Sequence, residues 1–305
     1  MKKIVLVLLQ AFLQSICCTS LRFIKPNVVS LEVSTLSLSA EVSLQCGEQY
    51  ESEQIHWQRN GMIIPETGNG ISIAVEGLRG GNFTCHNANG DFLNYTLLLV
   101  HPITLPNAVL LAQSTDKDFI SCTARNYSGH FHCSWKWDPR RTQRAVVHFS
   151  AVRKQSPINC NLDSDSNGLS CSDADFCPYS EEALSIKLRV LVRNIFRLEE
   201  HQLSFFLQDI VRPDKVKVMK KEENVFEWLP PETWSFPCSF FPLAYQIKVL
   251  PKNSDCDRTG NRVKQIETNE TQYEVNVQKP YTLCVRAQDP LTKNAWSDWS
   301  RHHQL

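Results

Sequence analysis

The stretch Trp296-Ser297-Asp298-Trp299-Ser300, close to the end of the sequence, decides how the rest of the chain is interpreted. In a pleated strand, residues three apart point to opposite faces, whereas an extended left-handed helix with three residues per turn brings both indoles onto one face. Two indoles on one face form slots for a flat cation. Arg286, in the alternating run Tyr281 to Ala287, is the candidate, since a cation over an indole gains about 0.5 to 2 kcal/mol. A pair of core tryptophans is the simpler interpretation, but two Trp-Ser pairs separated by one residue favour the stack.

The length and the first residues indicate a secreted protein with several domains. At 305 residues the chain has room for two or three domains. Lys2 and Lys3, an apolar run from Ile4 to Leu13 and small residues up to Ser20 have the pattern of a signal peptide, residues 1–20. A membrane anchor is the alternative, but the apolar run is too short to span a bilayer.

The charge balance and the cysteines agree with export. Without Lys2 and Lys3, 32 − 2 = 30 Lys+Arg face 32 Asp+Glu, so nothing indicates a nucleic-acid or membrane-surface partner. Twelve cysteines less Cys17 and Cys18 leave ten, and secretion makes disulfides the default. A zinc site is the alternative, and the absence of any Cys-x2-Cys pair disfavours it. Four sequons are candidate N-glycosylation sites: Asn82, Asn94, Asn126 and Asn269.

Residues 21–103 predict an immunoglobulin-like β-sandwich. Short runs of β-branched residues and leucine, such as Ile71 to Val75, are separated by Gly, Asn and Pro without a helical period. The order Cys46, Trp57, Cys85 is the pattern in which an indole packs on a disulfide that bridges two sheets. We therefore expect Cys46 to pair with Cys85.

Residues 104–211 predict a second β-domain with two local disulfides. Cys122 and Cys133 are spaced so that neighbouring antiparallel strands could join them across a hairpin. Cys160 and Cys171 bracket a polar segment that has no core of its own, and a disulfide would tie that segment down.

Cys177 is left over from these pairs. A leftover thiol in a secreted protein suggests a bond to another chain. A free or glutathione-capped thiol is the alternative.

Residues 212–305 predict a third sandwich, of the fibronectin type, that the Trp-Ser stretch closes. This region has three cysteines, so one is odd. We favour Cys256 with Cys284, because Cys284 alternates with Arg286 on the outer face of its strand and Cys256 lies in a turn-rich loop before it. Cys238 would then be unpaired, and the other pairings stay open.

Nothing in the sequence indicates catalysis. It contains no Gly-x-Ser-x-Gly, His-Glu-x-x-His, Gly-x-Gly-x-x-Gly or phosphate-binding loop. The nine histidines are scattered, and His130 and His132 beside Cys133 are most simply ordinary strand residues. We expect no catalytic, cofactor or metal site.

The Trp-Ser stretch resembles the tryptophan-serine box that closes the last fibronectin type III domain of class I cytokine receptors. In that family Cys-x10-Cys-x-Trp marks the first such domain, and here Cys122, Cys133 and Trp135 match it. The order of the three domains, followed by Arg301 to Leu305 and no membrane span, resembles the family of soluble beta subunits shared by interleukin-12 and interleukin-23. The most specific segments are Ala124 to Phe131, Cys177 to Glu182, Ser204 to Phe206 with Asp209-Ile210, Thr233 to Ser235 and Val285 to Asp289.

The resemblance implies an all-β, non-catalytic protein of three tandem sandwiches that binds a four-helix-bundle alpha subunit at the elbow between the two fibronectin domains. Cys177 would form the disulfide to that subunit, and Asp289 would receive an arginine from one of its helices. Four further residues would line the elbow: Tyr127, Pro178, Glu181 and Phe240. The immunoglobulin domain would contact a cell-surface class I cytokine receptor chain through residues that the sequence does not identify.

The sequence departs from the family pattern around the elbow. Leu291 and Thr292 stand where the family often has aromatic residues, so that side of the pocket would be shallower. A glycan on Asn126 would crowd the neighbouring Tyr127. We therefore predict that this sequon is empty or that its glycan points away.

Two other functions stay open. A soluble cytokine receptor alpha chain would share every domain but would capture a helical cytokine without a covalent bond, and would need no cysteine at the elbow. An adhesion or pathogen-binding immunoglobulin protein would make the tryptophan-serine box incidental.

Overall fold

The chain is an all-β protein built from tandem β-sandwiches. A computed structural model describes residues 20–34, 39–113, 118–177, 182–235, 242–258, 265–277 and 279–303. The predicted signal peptide lies outside these residues except for Ser20, which begins the first strand.

The chain forms two compact units. The first comprises residues up to 111 together with 137–149 and 190–201, and the second comprises 112–136, 150–189 and 202–305. The domain boundaries expected from the sequence stay a prediction.

The part of the first unit up to residue 111 contains two sheets that enclose the core cluster around Trp57. Its strands are β1 (Ser20–Lys25), β2 (Val28–Val33), β3 (Ser39–Gln45), β4 (His56–Arg59), β5 (Met62–Thr67), β6 (Gly70–Glu76), β7 (Gly81–His86), β8 (Phe92–Pro102) and β9 (Leu110–Leu111), with a 3-10 turn at Glu48–Tyr50. β1 pairs with β2, β2 runs parallel to β8, and β8, β7, β4 and β5 follow as antiparallel neighbours. β3 and β6 form the second sheet.

Alternation along the strands builds this core. In β3, Ala40, Val42 and Leu44 point inward while their neighbours are exposed, and each inward leucine or valine contributes about 1.5 to 3 kcal/mol. Trp57 is fully buried in the same cluster as the Cys46–Cys85 disulfide. Its Nε1 donates to Gly68 O at 2.9 Å, so the buried indole leaves no polar group unsatisfied.

Strands of the remaining chain extend from β10 to β23. They are β10 (Ile120–Thr123), β11 (His130–Trp137), β12 (Arg144–Arg153), β13 (Ser156–Leu162), β14 (Gly168–Ser172), β15 (Ile186–Asn194), β16 (Arg197–Phe205), β17 (Lys217–Lys220), β18 (Val225–Leu229), β19 (Ala244–Pro251), β20 (Gln265–Thr268), β21 (Gln272–Glu274), β22 (Tyr281–Gln288) and β23 (Ser300–His303). A short helix α1 (Leu207–Ile210) and a 3-10 turn (Glu232–Ser235) connect them. β17, β18 and β21 form one sheet, and β20, β19, β22 and β23 form another.

Four disulfides are present among the described residues, in the pairs that the sequence analysis favours. They are Cys46–Cys85, Cys122–Cys133, Cys160–Cys171 and Cys256–Cys284. Two of them join directly opposed residues of antiparallel strands, in the pairs β10–β11 and β13–β14. Cys238 lies outside the described residues.

Candidate functional site

The tryptophan-serine box lies against β22, the strand that carries Arg286. The guanidinium Cζ is 5.1 Å from the centre of the Trp296 ring and 4.2 Å from that of the Trp299 ring. Ser297 donates its amide to Ala287 O at 2.7 Å, and Ala287 donates back to Ser297 Oγ at 2.9 Å. The box is therefore held in register with β22, and both indoles face the same cation, as the residue spacing predicts.

A second cation, which the sequence analysis missed, continues this stack. Lys248 Nζ lies 4.8 Å from the Trp299 ring centre and donates to Cys256 O at 2.9 Å and Arg258 O at 3.2 Å. The β19–β22 register places Gln246 opposite Arg286 and Lys248 opposite Cys284. The sequence did contain a signal for this contact, because Gln246 and Lys248 are long polar residues at alternate positions of an otherwise apolar strand.

Burial governs the electrostatics of the stack. It lowers the pKa of Lys248, the nearby charge of Arg286 lowers it further, and Asp257 partly opposes both. Burial also lowers the pKa of Arg286, against the opposing effect of Asp257 and Glu267. Both cations thus meet indole faces and uncharged oxygens at short range.

The position of Cys284 differs from the expectation. From the sequence we expect Cys284 to lie with Arg286 on an outer face of its strand. The two residues do lie on one face of β22, but Cys284 is fully buried. Leu250, Cys256 and Trp299 form a cluster with it, so the returning end of the chain covers what would be an open sheet face.

Two residues predicted at the elbow lie in direct contact. Tyr127 donates its hydroxyl to Asp289 Oδ2 at 2.5 Å, and Leu291 donates its amide to Asp289 Oδ1 at 2.9 Å. Tyr127 is 2% exposed and Asp289 1% exposed. Trp234 packs edge-on against Tyr127 with ring centres 6.1 Å apart. The family resemblance assigns both residues to one elbow, but neither their contact nor their burial was predicted.

Polar contacts join the segments around this pair. Asn126 Nδ2 donates to Thr233 O at 2.6 Å, and Thr233 Oγ1 donates to Asp214 Oδ2 at 2.9 Å. Arg125 forms an ion pair with the same carboxylate, with Nη1 2.7 Å from Asp214 Oδ1. Backbone bonds from Ala124 N to Ile210 O and from Arg212 N to Ala124 O, at 2.8 and 2.7 Å, hold the two chain segments together.

The remaining predicted elbow residues, Pro178, Glu181 and Phe240, lie outside the described residues. Cys177 is described: it is half-buried and, among the described cysteines, it alone has no disulfide. Its role and those of Tyr127 and Asp289 stay predictions.

The four sequons divide into two kinds. Asn82 and Asn269 are exposed. Asn94 Nδ2 donates to Cys46 O at 2.6 Å, and Asn126 Nδ2 is engaged by Thr233 as described above. In the second kind, the nitrogen that would carry a glycan already serves the fold.

The described part of the chain contains no group of His, Cys, Asp and Glu side chains able to hold a metal ion. No helix within the same residues has the length and apolar character required to cross a membrane.

Comparisons with known proteins agree on one family. A family profile described as "Cytokine interleukin-12p40 C-terminus" matches residues 117–194. Interleukin-12 subunit beta of Lama glama is 29% identical over 249 residues, covering 72% of this chain and 73% of the relative. That of Homo sapiens is 29% identical over 248 residues, with the same coverage of each. That of Felis catus is 28% identical over 282 residues, covering 82% of each chain.

These relatives are cytokine subunits rather than enzymes, which agrees with the absence of catalytic motifs from the sequence. The disulfide framework, the tryptophan-serine box and the sequence similarity lead to one conclusion: over 72 to 82% of its length the chain is similar to interleukin-12 beta subunits.

Proposed function

We propose that this chain is the secreted, non-catalytic subunit of a heterodimeric cytokine. It binds a four-helix-bundle alpha subunit at the elbow near Tyr127 and Asp289, and Cys177 forms the covalent bond to that subunit. The assembled pair then engages a class I cytokine receptor chain on lymphocytes.

The observation that carries the proposal is the state of Asp289. Its carboxylate is buried and meets two neutral donors, the Tyr127 hydroxyl and the Leu291 amide. Among the described residues no lysine or arginine forms an ion pair with it. A buried carboxylate without a cation is costly, and an arginine from a partner helix would offset that cost through a charge-assisted bond.

Burial sets a requirement on this contact. Since Asp289 is 1% exposed, the side chains that cover it must move when the partner arginine arrives. Leu291, whose amide donates to Asp289, presents an apolar side chain that is 55% exposed. The partner's helix would thus pack on an apolar rim before its arginine reaches the carboxylate, which is how a desolvated hot spot is usually enclosed.

The covalent bond is tested by a non-reducing gel of the protein secreted from cells that produce it naturally, with the covalent partner identified by mass spectrometry. We expect a covalent pair with a four-helix protein that separates on reduction and is lost in Cys177→Ser. The soluble-receptor alternative predicts a helical partner that is never covalent.

The ionic contact is tested by Asp289→Asn in a Cys177→Ser background, so that only non-covalent affinity is measured. We expect affinity for the recovered alpha subunit to fall by about 2 to 5 kcal/mol, because the partner arginine is left without its anion. Asp298→Asn, which changes an exposed carboxylate of the same unit, is the matched control. Unchanged affinity in Asp289→Asn would refute the proposed contact.

A further inference from the structure

Arg153, at the end of β12, is buried among three oxygen acceptors. Its side chain is 9% exposed. Nε donates to Asp173 Oδ2 at 2.7 Å, Nη2 to Glu182 Oε1 at 2.5 Å and Nη1 to Leu184 O at 2.6 Å. Because the guanidinium is planar and its donors point in fixed directions, the three contacts fix three acceptors relative to one another.

The partners of Arg153 lie on both sides of Cys177. Asp173 comes four residues before the cysteine and Glu182 five residues after it. Each carboxylate is fixed further, since Asp173 Oδ1 accepts from Asp175 N at 3.0 Å and Glu182 Oε2 accepts from Gln208 N at 3.1 Å. One side chain therefore anchors the two described ends of the segment that carries Cys177.

A hairpin glycine packs against the same segment. Gly129, between β10 and β11, has a φ of +79° and accepts from Asp173 N at 3.0 Å. A Cβ at this position would collide with Asp173 O and lie 2.8 Å from Phe176 Cβ. The backbone immediately before Cys177 is thus held by a close approach that only glycine permits.

We propose that Arg153 is a positioning residue that sets the direction of the Cys177 sulfur for the bond to the alpha subunit. This inference rests on the proposed function. It also goes beyond that function, because it identifies the side chain of this protein that determines how readily the interchain disulfide forms.

The reaction is thiol–disulfide exchange with a partner cysteine held in a mixed disulfide by an oxidoreductase of the secretory pathway. The Cys177 thiolate attacks the partner's sulfur, the interchain S–S bond forms, and the S–S bond to the oxidoreductase breaks. The departing thiolate takes up the proton that Cys177 lost. Exchange needs the attacking sulfur in line with the breaking bond, so an unpinned segment would react slowly even when the two chains are already associated.

The test separates covalent bonding from association. Arg153→Met alone would leave two carboxylates buried without a cation, so the main variant is R153M/D173N/E182Q, which also removes those charges. Arg153→Lys, which keeps the charge but lacks the planar fork, is the second variant. Arg301→Lys, at the exposed pair with Asp255, is the matched control.

Each variant is refolded with the alpha subunit recovered in the gel experiment, in a glutathione buffer containing protein disulfide isomerase. We expect the rate of covalent bonding to fall about tenfold while the non-covalent affinity, measured with Cys177→Ser added, stays within about twofold. The control should match the parent chain in both measurements.

An unchanged rate in R153M/D173N/E182Q would overturn the inference, and so would a parallel loss of rate and affinity, which indicates general unfolding. If the triple variant is not secreted, Arg153→Lys decides by the same criteria.

A partner-free measurement separates this inference from the proposed function. Alkylation of Cys177 by iodoacetamide and amide exchange of residues 174–177 should both accelerate in the variants. If no covalent partner exists but both rates rise, the proposed function fails and Arg153 still anchors the segment. If neither rate changes, the anchoring itself is wrong.

Discussion

Two arginines of the second unit are stabilised by opposite chemistry. Arg153 meets two carboxylates and a carbonyl, whereas Arg286 meets the faces of Trp296 and Trp299 and the amide oxygen of Gln246 at 2.8 Å. Both guanidiniums are partly or largely shielded from water, yet among the described residues only Arg153 has anions at hydrogen-bond distance.

The two environments shift the pKa in opposite directions. At Arg153 burial alone lowers the pKa, but its hydrogen bonds to Asp173 and Glu182 and the charges of these carboxylates outweigh it and raise the pKa overall. At Arg286 burial dominates and the pKa is lowered. The carboxylates at hydrogen-bond distance therefore outweigh the burial of Arg153, whereas at Arg286 the neutral amide oxygen of Gln246 takes their place.

The difference predicts how the protein responds when each arginine is replaced. Loss of Arg153 leaves two anions behind, while loss of Arg286 leaves neutral rings that can stay packed. The charged site is consequently the more fragile of the two.

The largest effect should follow from Arg153→Met. We expect the free energy of unfolding to fall by about 3 to 5 kcal/mol, because Asp173 and Glu182 remain buried without their cation. Urea denaturation followed by circular dichroism measures it. Most of the loss should be recovered in R153M/D173N/E182Q, and a triple variant as unstable as the single one would contradict this account.

His201, in the first unit, extends the comparison because a buried histidine can lose its proton and become neutral. It is 5% exposed, and burial lowers its pKa to about 4. The unfolded chain, with a histidine pKa of about 6.5, binds the proton more readily. Its contribution to stability is therefore complete above about pH 6.5 and declines as the pH falls to about 4, by up to about 3 kcal/mol.

His201→Gln should remove most of that acid sensitivity in denaturation curves recorded between pH 7 and 4. His130→Gln, which changes an exposed strand histidine, is the control. If the loss of stability at acid pH is unchanged in His201→Gln, other titratable groups cause that loss.

Arg286→Met should have a smaller effect than Arg153→Met. We expect a loss of about 1 to 2 kcal/mol, the value of a largely desolvated cation between indoles. Thermal unfolding followed by tryptophan fluorescence reports both stability and the environment of Trp296 and Trp299. A loss as large as that of Arg153→Met would show that the aromatic and ionic environments do not differ as described.

The smallest effect concerns the two sequon amides, Asn94 and Asn126, whose nitrogens already donate hydrogen bonds within the fold. Glycosylation at Asn94 or Asn126 would disturb a native hydrogen bond worth about 0.5 to 1.5 kcal/mol, whereas Asn82 and Asn269 are exposed. We expect secreted protein treated with peptide N-glycosidase in ¹⁸O water to carry the label at Asn82 and Asn269. Full labelling at Asn126 would contradict the arrangement around Tyr127.

Much of the framework could be predicted from the sequence because it depends on local spacing. The period of three between Trp296 and Trp299 places both indoles near Arg286, and hairpin spacing brings Cys122 to Cys133 and Cys160 to Cys171. The family resemblance added the expectation that Tyr127 and Asp289 lie at the same elbow.

Other features depend on segments that are distant in the sequence, and spacing says nothing about them. Lys248 joins the stack only because β19 pairs with β22 in one register. The buried carboxylate of Asp289 accepts a hydrogen bond from Tyr127, which lies 162 residues earlier in the chain.

The sequence by itself therefore determined the all-β class, the Cys122–Cys133 and Cys160–Cys171 disulfides and the tryptophan-serine stack, since each follows from strand or helix geometry over a short stretch. Only the tertiary structure decided which charges are buried and what meets them. The burial and pairing of a charge, as at Arg153 with Asp173 and Glu182, arise where separate strands and loops converge, and that convergence sets the energy of the charge.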